Sequence, residues 1–242
     1  MVIIHRHQEK KKIHKITTQQ KEIFSFVWVV LFIYKENKME IKILEEYKMG
    51  ENTYFIIEDG EAIVIDPGAD TEKVLSFAGD IKIKYIFLTH CHYDHIKSVK
   101  EIRKQTGALI CCSEECKNNI QNPRVNLASM GLGYEIIIDN VYKVFNDNEE
   151  FDFKGNTIKV IKTPGHTDCS VCYLIENNLI SGDTLFFQSV GRYDLPTGDL
   201  NILTTSIKNK LYCLDDNIKV YPGHGRSTTI GYEKKYNLCI KL

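Results

Sequence analysis

The segment Thr89-His90-Cys91-His92-Tyr93-Asp94-His95 places three imidazoles and one carboxylate within six residues, directly after the apolar run Tyr85-Ile86-Phe87-Leu88. A strand formed by that run delivers the cluster to a turn, where side chains that would alternate along a strand can converge. Imidazole combined with carboxylate suits borderline-soft divalent ions such as zinc, and also iron or manganese. The chain has eight histidines, of which residues 39–242 hold five. All five stand in motif-like settings: His90, His92 and His95, then His166 in Thr163-Pro164-Gly165-His166-Thr167, then His224 in Tyr221-Pro222-Gly223-His224-Gly225. Proline fixes its own backbone dihedral and glycine opens a turn closed to other residues, so a Pro-Gly pair aims the next side chain at a fixed point. A lone histidine is more often an ordinary surface or core residue than a ligand. Here the H-x-H-x-D-H string is joined by two Pro-Gly histidines and by Asp183 in Ser181-Gly182-Asp183-Thr184.

Together with Ile65-Asp66-Pro67-Gly68, these motifs give a sequence that resembles the metallo-β-lactamase-fold hydrolases, in family order between residues 40 and 230. Within that family it resembles the glyoxalase II-like (hydroxyacylglutathione hydrolase-like) branch. Residues 190–196 and 229–233 resemble its short, single-domain bacterial members. The resemblance implies an α/β fold, a four-layer αββα sandwich with metals at one edge between the sheets. It implies two divalent ions, zinc first, with iron or manganese accepted by the same donors. His90, His92 and His166 would hold one ion, and Asp94, His95 and His224 the other. Asp183 would bridge them together with a water-derived hydroxide. Asp94 would also orient that hydroxide, and Asp66 would orient ligands from behind. Arg192 and Tyr193 would lie at the mouth, where Arg192 either meets an anionic substrate or is a salt-bridged loop residue.

The activity implied is hydrolysis of S-lactoylglutathione-like acyl thioesters, by attack of the hydroxide on a polarised carbonyl. Only eighteen residues follow His224. The helical C-terminal domain that supplies glutathione-binding basic residues in the classical enzymes has no counterpart, so the thiol carrier stays open. Two other activities fit similar ligands: a mononuclear iron persulfide dioxygenase using His90, His166 and Asp183, and a lactonase. A non-catalytic metal scaffold would not need all seven donors.

The elements that must position these groups are short. Strands are predicted at 41–44, 53–57, 62–65, 84–88 and 108–111, with helices at 70–77 (Asp70 as N-cap), 96–105 (closed by Gly107) and 113–119 (Ser113 as N-cap). Residues 120–148 read as a long irregular insertion. A second strand group follows at 150–153, 157–161, 171–175 and 178–180. A helix over 200–211 is capped by Asp199, and the last strand is 218–221. Residues 39–242 form one domain. Residues 1–38 carry eight basic and three acidic residues and a twelve-residue apolar stretch, too short for a membrane span. They are read as an extension with a mis-assigned start at Met1, or as disordered, with translation expected at Met39. The remainder carries a net charge of −6, which gives no basic footprint for nucleic acid. A small-molecule thioester is the expected partner and the cytoplasm the expected location, with the oligomeric state open. Eight cysteines at irregular spacings are read as reduced thiols. Cys169 and Cys172, three apart at a strand, should point to opposite faces. Cys111, Cys112 and Cys116 could meet, but lack a fourth clustered thiol in the sequence.

Overall fold

The computed structural model describes residues 39–46, 50–133 and 135–241, so the reading of residues 1–38 lies outside the described residues. The first half of the chain builds one six-stranded sheet from β1 (Glu40–Glu46), β2 (Glu51–Glu58), β3 (Glu61–Ile65), β4 (Lys82–Phe87), β5 (Leu109–Ser113) and β6 (Lys143–Phe145), in that order. The first three strands pair antiparallel and the last four run parallel. The second half builds another six-stranded sheet from β7 (Glu150–Phe153), β8 (Asn156–Lys162), β9 (Val171–Ile175), β10 (Asn178–Gly182), β13 (Lys219–Pro222) and β14 (Thr228–Thr229). A two-stranded ribbon, β11 (Leu185–Phe186) and β12 (Ser189–Val190), lies between β10 and β13 in the chain.

Alternation along the strands sorts the core into layers. Tyr54, Ile56, Ile63, Ile65 and Phe87 of the first sheet meet Ile158, Val160, Val171, Tyr173 and Ile175 of the second. Their neighbours in sequence, Phe55, Val64 and Ile86, face outward beneath helices α1 (Thr71–Ala78) and α3 (Val99–Thr106). Ile161, Cys172 and Val220 face the opposite outer layer, packed with Leu203 and Ile207 from α6 (Leu200–Ser206) and the π-helical turn Ile207–Leu211. The result is the αββα sandwich expected. Between the sheets, the Phe87 ring lies 5.1–5.2 Å from those of Phe145, Phe151 and Tyr173.

Several boundaries differ from expectation for identifiable reasons. The helix predicted over 96–105 is two pieces, α2 (Tyr93–Ile96) and α3. The break falls at Ser98, whose amide donates to Pro67 O at 3.1 Å instead of to the preceding helical turn, while its hydroxyl donates to Ala69 O. Gly107 closes α3 in the left-handed region, as expected. Asp70 stands at the N-cap of α1 but makes no capping bond; its carboxylate pairs with Lys97 and Lys73. Ser113 and Asp199 do cap, accepting from Cys116 N in α4 (Glu114–Asn119) and from Ile202 N in α6. The 120–148 segment holds a short helix, α5 (Ala128–Gly131), and ends in β6. Helix α7 (Ile230–Tyr236) was not anticipated.

Candidate metal centre

Every residue of the cluster sits just beyond the end of a strand. β3 leads to Asp66, β4 to His90–His95, β8 to His166, β10 to Asp183 and β13 to His224. Backbone bonds tie these ends together: Val171 N donates to Thr89 O, Gly223 N to Gly182 O, and Asn52 N to Gly223 O, each at 2.8 Å. The two Pro-Gly turns work differently. Gly165 has φ of 136° and a side chain there would meet the Leu203 backbone at 2.2 Å. Gly223 needs no unusual dihedral; a Cβ on it would stand 2.2 Å from Asp183 Oδ1 and 2.7 Å from His95 Cε1. Closeness, not turn geometry, demands glycine there.

The predicted residues come together. His90, His92 and His166 form one group of donor atoms lying within 4.8 Å of one another, and Asp94, His95 and His224 form a second. Asp183 stands between them: Oδ1 is 3.4 Å from His95 Nε2, and Oδ2 is 3.6 Å from both His166 Nε2 and His224 Nε2. Ring tautomers follow from the partners on the far side of each imidazole. His166 Nδ1 donates to Arg192 O at 2.6 Å, which leaves Nε2 as a lone pair facing His92 Nδ1 at 3.0 Å. Asp66 accepts from Thr89 N at 2.7 Å and from the Thr89 hydroxyl, and receives His95 Nδ1 at 3.1 Å. With its proton given to Asp66, the Thr89 hydroxyl accepts from His90 Nδ1 at 3.0 Å, so His90 presents Nε2 to the site. Asp66 also lies near His90 and His95 in a third donor group, but its oxygens are already committed to these bonds. Asp66 adopts a left-handed backbone (φ 50°), unusual outside glycine, at the point where this relay begins.

Electrostatics follow the burial. Burial, then the neighbouring imidazoles, hold His90 well below its usual range, and burial with His166 pushes His92 down to about 4. Burial opposes charge on His95 too, but Asp183, Asp94 and the Asp66 hydrogen bond outweigh it and raise His95 well above the ordinary value. His224 is raised by Asp94 and Asp183 against its burial. Burial raises the carboxyls of Asp183 and Asp94, but His95 and the other imidazoles overcome that and hold both low, Asp183 markedly. Among the described residues, three buried polar atoms lack any hydrogen-bond partner: His90 Nε2, His92 Nε2 and Asp183 Oδ1. Leaving such an atom unmatched costs about 1–3 kcal/mol. Three residues of one buried cluster, each left with an unmatched polar atom, fit a bound cation.

Arg192 and Tyr193 lie outside this cluster. The exposed Arg192 guanidinium forms a two-point pair with Asp194, at 2.9 and 3.0 Å, and its contribution to the centre is the carbonyl that orients His166. Tyr193 is exposed. Sequence reasoning missed Thr89, whose position before the histidine string was the available signal, and Glu51. Glu51 is fully buried beside Asp66 and Asp94, bonded through its carboxylate to Thr53, and burial pushes its carboxyl well up. Cys169 and Cys172 do point apart, but Cys169 meets Cys91 at 3.6 Å between Sγ atoms, with Cys116 adjacent. Cys111 faces the inner layer, so the expected trio does not meet; Cys112 and Cys116 gather instead with Cys91 and Cys169 from the ligand loops.

Residues 47–224 match the Metallo-beta-lactamase superfamily. The chain belongs to that superfamily. A probable metallo-hydrolase of Streptococcus pyogenes is 32% identical over 225 residues, covering 88% of this chain and 96% of its own. A hydroxyacylglutathione hydrolase, GloC, of Haemophilus influenzae is 30% identical over 210 residues, covering 82% of this chain and 97% of its own. Among solved structures, the BLEG-1 B3 metallo-beta-lactamase superposes with a TM-score of 0.77 at 32% identity, covering 82% of this chain and 98% of its own. TTHA1623 in a di-iron-bound form superposes at 0.72 with 29% identity, covering 81% and 98%. As a metallo-beta-lactamase superfamily member the chain is a metal-dependent hydrolase, and its His/Asp groups fit a site for two divalent ions. No helix among the described residues is long and apolar enough to cross a membrane.

Proposed function

We propose that this chain hydrolyses acyl thioesters of the hydroxyacylglutathione class at a two-ion centre. The observation that carries the reading is Asp183 standing between two complete donor groups. The likeness to GloC, which spans nearly the whole of that relative, supports the substrate class. His90, His92 and His166 would hold one ion and Asp94, His95 and His224 the other, with Asp183 placed to serve both. When bound, the pair supplies Lewis-acid polarisation of a carbonyl and lowers the pKa of water from about 16 to about 7.

The chain's own residues do the rest. Asp66 and Thr89 fix the rings of His90 and His95 so that each offers Nε2. Asp94, held ionised and 20% exposed, stands with His224, 26% exposed, where the cluster opens to solvent. From there its carboxylate accepts a hydrogen bond from the attacking water and orients it. A departing thiolate, with a thiol pKa of about 8.5, leaves near neutral pH with little need for a proton donor.

The test is metal analysis of purified protein, then assay after chelation and reloading with zinc, iron or manganese, on acyl thioesters, lactones and a persulfide. Metal-dependent thioester turnover is the expected result. Lactone hydrolysis without thioester turnover overturns the substrate class. Oxygen uptake with a persulfide, at one iron per chain, overturns the hydrolytic reading.

A further inference from the structure

A concavity of about 450 Å3 is lined by Phe187, Lys219, Arg226, Ser227, Thr229 and Tyr232; Lys219 opens β13 and Arg226 stands beyond the other end of that strand. Two connections join it to the metal-ligand residues. Arg226 follows His224 by two positions, and Phe187 follows Phe186, whose ring centroid is 6.1 Å from that of His224. The Arg226 guanidinium lies over the Phe187 ring at 3.5 Å, and Phe187 stacks on Tyr232 at 5.2 Å with an interplanar angle of 23°. Stacking holds the guanidinium plane while leaving its edge donors unspent. Lys219 Nζ stands 4.6 Å from the centroid of the Tyr221 ring.

Neither cation has a carboxylate within ion-pair distance among the described residues, whereas Arg192 is committed to Asp194. Residues 39–242 carry a net charge of −6, so two uncompensated cations on one concavity run against the background. Hydroxyl groups add donors: Thr229 Oγ1 accepts from Tyr232 N, which leaves its proton to give. Phe187 and Tyr232 supply an apolar wall.

Given the thioester reading above, we infer that this concavity binds the thiol-carrying half of the substrate, and that the carrier is anionic. An acyl carbonyl at the cluster sends its sulfur arm out where Asp94 and His224 meet solvent, and past His224 the arm reaches Arg226. The guanidinium edge matches a carboxylate or phosphate in two-point geometry, and Lys219 adds a point charge. The cation that selects the substrate is Arg226, not Arg192.

The experiment uses the metal-loaded full chain and three esters sharing one acyl group. The carriers are glutathione (carboxylates), coenzyme A (phosphates) and N-acetylcysteamine (no charge). The expected result is that R226Q and K219Q each lower the anionic-to-neutral ratio of kcat/KM about tenfold, through KM, as removal of one charge-assisted contact should. The wild-type ratio should also fall as salt rises to about 0.5 M, where screening is strong. Whichever anionic carrier loses more identifies the recognised group. A ratio that stays within about twofold of wild type in the double variant overturns the inference. Calorimetry with free glutathione and free coenzyme A separates the two readings. Arg226-dependent carrier binding without thioester turnover keeps the pocket and overturns the reaction. Turnover without Arg226 dependence keeps the reaction and overturns the pocket.

Discussion

Asp66 does its work through other side chains. Its two oxygens take the Thr89 amide, the Thr89 hydroxyl and His95, and through Thr89 they also set the His90 ring. Asp66→Ala should therefore lower metal affinity and turnover by about 10–100-fold, the usual cost of losing a group that orients ligands. Thr89→Val should lose the hydroxyl's bonds to Asp66 and His90 while keeping those from the Thr89 amide and His95 to Asp66. Metal stoichiometry at limiting chelator, read beside kcat/KM, checks both. Asp183→Ala should fall further, removing the one carboxylate common to both donor groups; retention of two ions per chain with full turnover would overturn its bridging position. At this scale the sequence was most legible. Histidines set in a dense string or behind Pro-Gly pairs carry a chemical signature independent of fold. Thr89 offers only its place before the string and Glu51 offers nothing: a glutamate on a strand looks ordinary until burial reveals what it faces.

Strands and their closing turns decide whether those side chains can meet. Gly223→Ala inserts a methyl 2.2 Å from Asp183 Oδ1, and the neighbouring atoms are ligand groups with no room to move. The expected outcome is a folded chain with normal far-ultraviolet circular dichroism that retains fewer ions and loses most activity. Phe87→Ala acts on the sheets instead, removing a ring that touches three others in the inner layer. It should cost about 3–5 kcal/mol in denaturant unfolding while leaving ligand geometry intact in the folded fraction. Strand existence was readable from alternation, because inner and outer layers take opposite residues of each strand. Helix ends were less so. Ser98 spends its amide on Pro67 O, and Asp70 spends its carboxylate on lysines, and both are tertiary choices that local pattern does not contain. Helix α7 was missed because its one fully buried charged residue, Glu233, is satisfied by Thr228 and Asn237, a network invisible in sequence.

For the whole molecule, proton and metal binding are linked. Folded-state values for His90 and His92 lie below the unfolded one of about 6.5, so the unfolded chain binds more protons. Their contribution to stability is present above about pH 6.5 and is lost as pH falls toward 4. His95 and His224 are raised, and theirs runs the other way: present below about 6.5, lost as pH rises through the folded values. In the chelated protein the two pairs oppose each other, and the thermal midpoint should vary little between pH 7 and 5. In the metal-loaded protein all five imidazoles must be unprotonated, so loading should release protons and its midpoint should drop steeply over that interval. Calorimetric melting of both forms across pH checks this; parallel curves would contradict it.

The two sheets are also two uninterrupted stretches of chain, β1 to β6 ending at Phe145 and β7 to β14 beginning at Glu150. One stretch contributes His90, His92, Asp94 and His95, and the other His166, Asp183 and His224. An ion held by donors from both is a rivet between halves otherwise joined by an apolar seam and by polar ties such as Val171 N to Thr89 O and Tyr54 Oη to Pro222 O. Cut within Asn146–Glu149, the halves should reassociate far more tightly with zinc than with chelator, as fragments stitched by coordination.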